Sequence, residues 1–191
     1  NTMYIWIGCA LPEIFEEELR SRCLEYNREL KLDTVAFSLP QHISLKISFP
    51  TDRPEAVLDA VEGILRRETE FYVNLKEPKL EGKILWLPVE ENSRLRMLHD
   101  KLDAHLRERF DIRQHPLDQA FLFHSTLFLD EDTDKLAAMR EKLPGDIYKS
   151  LKRTISEGKD LDITLANVVA NNMKTWAIER APPTTPTGSS P

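Results

Sequence analysis

Apolar residues along this chain alternate between a strand rhythm and a helix rhythm, and the whole progression occurs twice. Met3 to Leu11 is apolar and β-rich and stops at Pro12, a residue suited to the first turn of a helix. The next segment sets Phe15, Leu19, Cys23, Tyr26 and Leu30 at helical spacing. Glu13, Glu16, Glu17 and Glu18 lie near its positive end, where a solvated acidic turn is favoured. A loop ending at Pro40 leads into a strand over 42–49. A helix then begins near Pro54, with Val57, Leu58, Val61, Ile64 and Leu65 on one side, and 71–75 reads as a further strand.

The second pass has the same order. Residues 84–87 form a strand that echoes Ile5-Trp6-Ile7 about eighty positions later, and a helix follows with Leu95, Leu98, Leu102 and Leu106 on its core side. A strand over 121–129 precedes another helix carrying Leu136, Met139 and Leu143. Residues 161–169 and 175–178 supply closing strands, with 170–173 as their turn. A long period with two copies predicts a single two-lobed, pseudo-symmetric α+β domain over 3–180, its repeats covering about 3–76 and 83–180. Residues 181–191 contain four prolines among Thr, Ser and Gly and nothing to bury, so a disordered tail is expected there.

At 191 residues the chain can bury a sizeable core. Its net charge of −6 argues against a general grip on extended duplex nucleic acid, which needs a broad basic surface, but leaves room for a locally positive cleft. Cys9 and Cys23 form neither a C-x-x-C pair nor a zinc spacing, and read as small core residues in a reducing compartment. No apolar run approaches a membrane span and no signal-peptide pattern is evident, so the expectation is a cytoplasmic protein. Oligomeric state is not legible.

The most specific chemistry lies in the two middle strands. His42-Ile43-Ser44-Leu45 and His124-Ser125-Thr126-Leu127 each put a histidine two residues before a hydroxyl, 82 positions apart (124 − 42). A strand sends residues i and i+2 to one face, so each histidine points the same way as its hydroxyl. Two such strands side by side would aim two imidazoles and two hydroxyls at one small anion. One neutral ring can take a proton from an attacking water or hydroxyl while the other, protonated, gives one to a departing oxygen. Ser44 and Thr126 can donate to non-bridging phosphate oxygens, and the scheme calls for no metal and no cofactor.

A lone strand histidine is more often a structural residue than a catalyst. Duplication at matching places in an internal repeat favours function. The remaining histidines lack that support: His99 and His105 fall on different faces of one helix and make no metal pair, and His115 reads as a solvated loop residue. Tyr4, Trp6 and Trp86 could stack a base, but strand aromatics are more often core.

The doubled H-x-[ST]-x pattern resembles the two-histidine (2H) phosphoesterases, and within them the RNA 2′,3′-cyclic phosphodiesterase / 2′-5′ RNA ligase group. The resemblance covers about residues 3–180 in element order. It implies a bilobal α+β fold, two antiparallel sheets lining a central cleft with helices outside. It also implies that His42 and His124 are the acid/base pair and that Ser44 and Thr126 bind phosphate. His42-Ile-Ser-Leu-Lys46 resembles a common continuation of the first motif, and alternation puts Lys46 on the face of His42 and Ser44, where it would attract phosphate. The motif departs from the usual pattern at Ser44, where Thr is usual, and at Ser125, where an apolar residue is common and a tolerant environment is expected. No arginine can be assigned to the cleft from sequence. The reading is a metal-independent phosphoesterase acting on a nucleotide or RNA end that carries a cyclic phosphate. Its alternatives are 2′-5′ RNA ligation and a noncatalytic nucleotide- or phosphate-binding module.

Overall fold

The computed structural model describes residues 2–68, 71–143, 167–169 and 172–178. Residues 161–166 of the strand expected over 161–169, residues 170 and 171 of the expected turn and the tail 181–191 lie outside them. Residues 172 and 173, expected in that turn, are already part of the last strand.

Strand β1 (Met3–Ala10) is the centre of a three-stranded antiparallel sheet, between β2 (His42–Thr51) and β8 (Asn172–Ile178). Its odd positions Ile5, Ile7 and Cys9 are fully buried, as period-2 alternation requires. Helix α1 (Glu13–Leu30) follows at once, with Pro12 as its N-cap residue and Phe15, Leu19 and Cys23 as its buried stripe. Asn27 continues that stripe and closes the helix end. Its side chain donates to Leu32 O at 2.9 Å and accepts from Leu32 N at 2.7 Å, across the left-handed Lys31.

In the second half, β5 (Ile84–Pro88) lies between β4 (Lys79–Glu81) and β6 (His124–Leu129). The strand β4 is too short to show a pattern in sequence; it joins β5 through a two-residue turn whose first position, Gly82, has φ 59°. The second motif strand begins at His124 rather than at 121. The carbonyl of Phe121 is taken by Arg96 and residues 116–120 form a 3-10 turn, so ladder pairing starts only afterwards. Strand β3 (Tyr72–Asn74) pairs with β7 (Asn167–Val169), and a Leu75–Val89 bridge ties it to the end of β5. Strands from late in the chain therefore complete sheets begun early.

Helix α2 (Pro54–Leu65) has proline in its first turn and buries Val57, Val61, Ile64 and Leu65. Helix α3 (Ser93–Phe110) is capped by Asn92, whose Oδ1 accepts from Arg94 N and Leu95 N, and buries Leu95, Leu98, Leu102 and Leu106. A fourth helix, α4, occupies 133–143 with Leu136, Met139 and Leu143 buried. Each such leucine contributes roughly 1.5–3 kcal/mol through burial. Helix α3 packs across β2, so a helix of the second half backs the motif strand of the first.

Candidate active site

The two motifs are built alike at the level of the backbone. On β1–β2, Ala10 pairs with His42 and Gly8 with Ser44, and then Ile7 pairs with Lys46, leaving Leu45 as an extra residue. On β5–β6, Pro88 pairs with His124 and Trp86 with Thr126, and then Leu85 pairs with Phe128, leaving Leu127 extra. Both strands thus carry a β-bulge immediately after the hydroxyl residue. Burial agrees: Ile43 is buried between half-buried His42 and Ser44, with Leu45 and Lys46 buried in succession after them. Ser125 is likewise buried between half-buried His124 and Thr126, with Leu127 and Phe128 buried in succession after them.

His42, Ser44, His124 and Thr126 all line one cavity of about 450 Å³. Its walls come from 35–39 before the first motif and from 117–122 before the second, with Trp6 and Trp86 alongside. A volume of this order suits one small-molecule-sized group. Each imidazole is fixed in the same way. His42 Nδ1 lies 2.8 Å from Pro40 O, and His124 Nδ1 lies 2.9 Å from Leu122 O. A carbonyl only accepts, so Nδ1 carries the proton and donates it, and in the neutral ring Nε2 keeps its lone pair.

Trp6 and Trp86 lie on these rings. Trp6 stacks on His42 with centroids 4.4 Å apart and 27° between planes; Trp86 meets His124 at 4.1 Å and 52°. Trp86 reaches its histidine from the position opposite Thr126. Trp6 starts two residues beyond the corresponding position, which is Gly8 and has no side chain in the way. Burial among these groups pushes both histidine pKa values below the ordinary imidazole value. The carbonyl bonds oppose that shift, and the neighbouring His42 adds to it at His124.

Lys46 borders the cavity, but its ammonium is turned into a buried cluster behind it. It donates to Asp103 Oδ1 at 2.8 Å and to Asp118 Oδ2, and the side chain is 2% exposed. The bulge at Leu45 breaks the alternation that placed Lys46 beside Ser44, and its ammonium is paired with two carboxylates. Asp118 also faces His99 Nε2 at 3.0 Å and accepts from His115 N at 2.9 Å. Burial alone would raise its pKa, but these bonds and the Lys46 charge bring it down to about 2. His115, read as solvated, instead caps the 3-10 turn, its Nδ1 accepting from Leu117 N.

Ser125 also corrects its expectation. It is fully buried and its hydroxyl donates to Gln41 Oε1 at 2.7 Å, which joins the residue before the first histidine to the residue after the second. The environment behind this strand is specific rather than tolerant. Nothing in one sequence couples Gln41 to Ser125. Among the described residues, no helix is long and apolar enough to cross a membrane.

With this geometry in hand, known proteins supply a frame. A family model described as the 2′-5′ RNA ligase superfamily matches residues 15–158. Among solved structures, the crystal structure of Escherichia coli LigT in its apo form superposes with a TM-score of 0.53 at 14% identity, covering 94% of this chain and 99% of that one. Usb1 of Kluyveromyces marxianus gives a TM-score of 0.43 at 9% identity, covering 94% of this chain and 98% of that one. A curated protein, the type-3 glutamine synthetase of Dictyostelium discoideum, is 47% identical over 51 residues, which are 27% of this chain; the chain spans only 7% of that protein's length. The fold shared with LigT is the α+β fold of the 2H phosphoesterases, and with the family match covering most of its length, this chain belongs to the 2′-5′ RNA ligase superfamily of two-histidine phosphoesterases.

Proposed function

We propose that this protein is a metal-independent phosphoesterase that opens a 2′,3′-cyclic phosphate at a nucleotide or RNA end. The observation that carries the reading is one cavity holding two half-buried imidazoles, each with Nδ1–H tied to a carbonyl and each beside a hydroxyl. Membership of a superfamily named for RNA 2′-5′ linkages supports the substrate class.

In this scheme water attacks the phosphorus and loses its proton to Nε2 of the neutral histidine. The bond from phosphorus to one ribose oxygen breaks, and that oxygen takes a proton from Nε2 of the protonated histidine. The product is a terminal phosphate monoester, and proton exchange between the rings and solvent restores the starting state. Each transfer contributes typically about 10²–10⁴ in rate. Ser44 and Thr126 donate to the non-bridging oxygens as negative charge gathers there. The same groups acting on a 5′-hydroxyl in place of water would join ends: that oxygen gives its proton to the neutral histidine and bonds to the cyclic phosphorus. The bond to the 3′ oxygen breaks, and the 3′ oxygen takes a proton from the other histidine, leaving a 2′-5′ linkage. This second reading rests on the family name.

The test is turnover of a panel of 2′,3′-cyclic phosphates by wild type, His42→Ala and His124→Ala, with and without a chelator. Each substitution should cost at least about 100-fold in kcat, and chelation should cost nothing. Wild-type turnover by both variants would sink the assignment. Tight nucleotide monophosphate binding without turnover of any substrate would make the cavity a binding module. Oligonucleotides with defined ends separate cleavage from 2′-5′ joining.

A further inference from the structure

Behind each histidine stands an arginine in an equivalent place. Arg20 lies on α1, the helix after the strand that pairs with the first motif strand; Arg96 lies on α3, the helix after the strand that pairs with the second. Arg20 Nη2 donates to Leu39 O at 3.1 Å and Arg96 Nη2 donates to Phe121 O at 2.6 Å. Leu39 and Phe121 are each three residues before their histidine, and the very next carbonyl, of Pro40 or Leu122, accepts the ring's Nδ1–H. Each guanidinium is answered by a glutamate: Arg20 Nε by Glu16 at 3.0 Å, Arg96 by Glu91 at 2.9 and 3.1 Å. Each also packs over a phenylalanine of the segment it holds, Phe37 or Phe123.

We infer that Arg20 and Arg96 are positioning residues, one for each histidine, that hold the preceding segment so that its carbonyl fixes the imidazole tautomer and aims Nε2 into the cavity. The inference rests on the acid/base reading of His42 and His124. A charged donor bonds a carbonyl about twice as strongly as a neutral one, and two successive peptide units leave little freedom between the arginine and the ring. The first device has one more member. Glu16 also accepts from Gln41 N at 3.3 Å, the N–H of the same peptide whose carbonyl takes the His42 proton. That engagement draws Glu16 out of the solvated acidic turn expected for it. Arg20 additionally holds Phe37 O at 2.8 Å, so it serves three acceptors in one plane, which a lysine cannot do.

The experiment combines kinetics with ¹⁵N NMR of the histidine rings in Arg20→Ala, Arg96→Ala and the gentler Arg20→Gln and Arg96→Gln, which keep a side-chain donor if an alanine variant does not fold. Wild type should show the Nδ1–H tautomer at His42 and His124. Arg20 variants should lose it at His42 alone and Arg96 variants at His124 alone. kcat should fall about tenfold or more in each, with KM nearly unchanged, because misaimed groups act mainly in the reacting complex. Arg20→Lys should not rescue. Unchanged tautomers and unchanged kcat in the folded variants overturn the inference. If wild type turns over no phosphodiester, the functional reading falls, and the tautomers alone still decide what the arginines do.

Discussion

At the scale of single residues, the balance that matters is between burial and the carbonyl bonds at His42 and His124. Burial disfavours the imidazolium and wins at both, with repulsion from His42 adding at His124. Both rings therefore rest neutral near pH 7, and the state with one proton shared between them is most populated below about pH 6.5. The kcat/KM profile should be bell-shaped with its maximum on the acid side of that value. A bound phosphate anion favours the protonated ring, so the profile of kcat should sit at higher pH than that of kcat/KM. Initial rates across pH 4.5–9 check both, and coincident profiles with a maximum above pH 7 would contradict the acid/base scheme. For stability the sign is also fixed. The unfolded rings take up protons at about pH 6.5 and the folded rings resist, so the contribution is whole above that pH and is lost as the pH falls through the folded values.

At the scale of elements, the strands were legible because their period is 2 and the helices because buried leucines recur at three and four. The bulges were not. A bulge appears only in the register of two strands, and it is what turned Lys46 away from Ser44 while leaving His42 and Ser44 together. Ser44 and Thr126 kept their predicted faces because each lies on the regular side of its bulge. The β4–β5 hairpin escaped the sequence reading for a simpler reason: three residues carry no period. Its turn depends on Gly82, where φ is 59° and an added Cβ would meet nothing within 4 Å. Only the backbone conformation opposes a side chain there. Gly82→Ala should destabilise the fold by about 1 kcal/mol in urea denaturation while leaving the kinetic constants at wild-type values. No loss of stability would mean that the turn relaxes freely.

At the scale of the whole molecule, the halves are joined by polar groups as well as by the apolar core. Ser125 and Gln41 link the two motif strands directly. Lys46 on β2 is held by Asp103 on α3 and by Asp118 in the segment that walls the cavity before His124. Removing one member of such a buried cluster leaves charges unpaired, which costs about 3–5 kcal/mol. Lys46→Met should therefore lower stability by that order, measured by urea denaturation. If Lys46→Met instead kept wild-type stability and raised KM alone, Lys46 would be a phosphate ligand after all. Asp118 adds an acid limit: its unfolded carboxyl titrates near 3.8 and its folded one near 2, so its contribution is whole above pH 4 and is lost as the pH falls toward 2.

The sequence by itself determined the doubled order of strands and helices, the buried stripes, and the pairing of each histidine with a hydroxyl. All of these follow from local periodicity, which neighbours along the chain enforce. A cleft shared by the two motifs was expected from their duplication and from the family resemblance. Tertiary structure alone decided that tryptophans cover the rings, that Lys46 is held by two aspartates, and that Arg20 and Arg96 stand behind the histidines. Those are contacts between segments far apart in the chain, set by register, bulges and packing that no local pattern records.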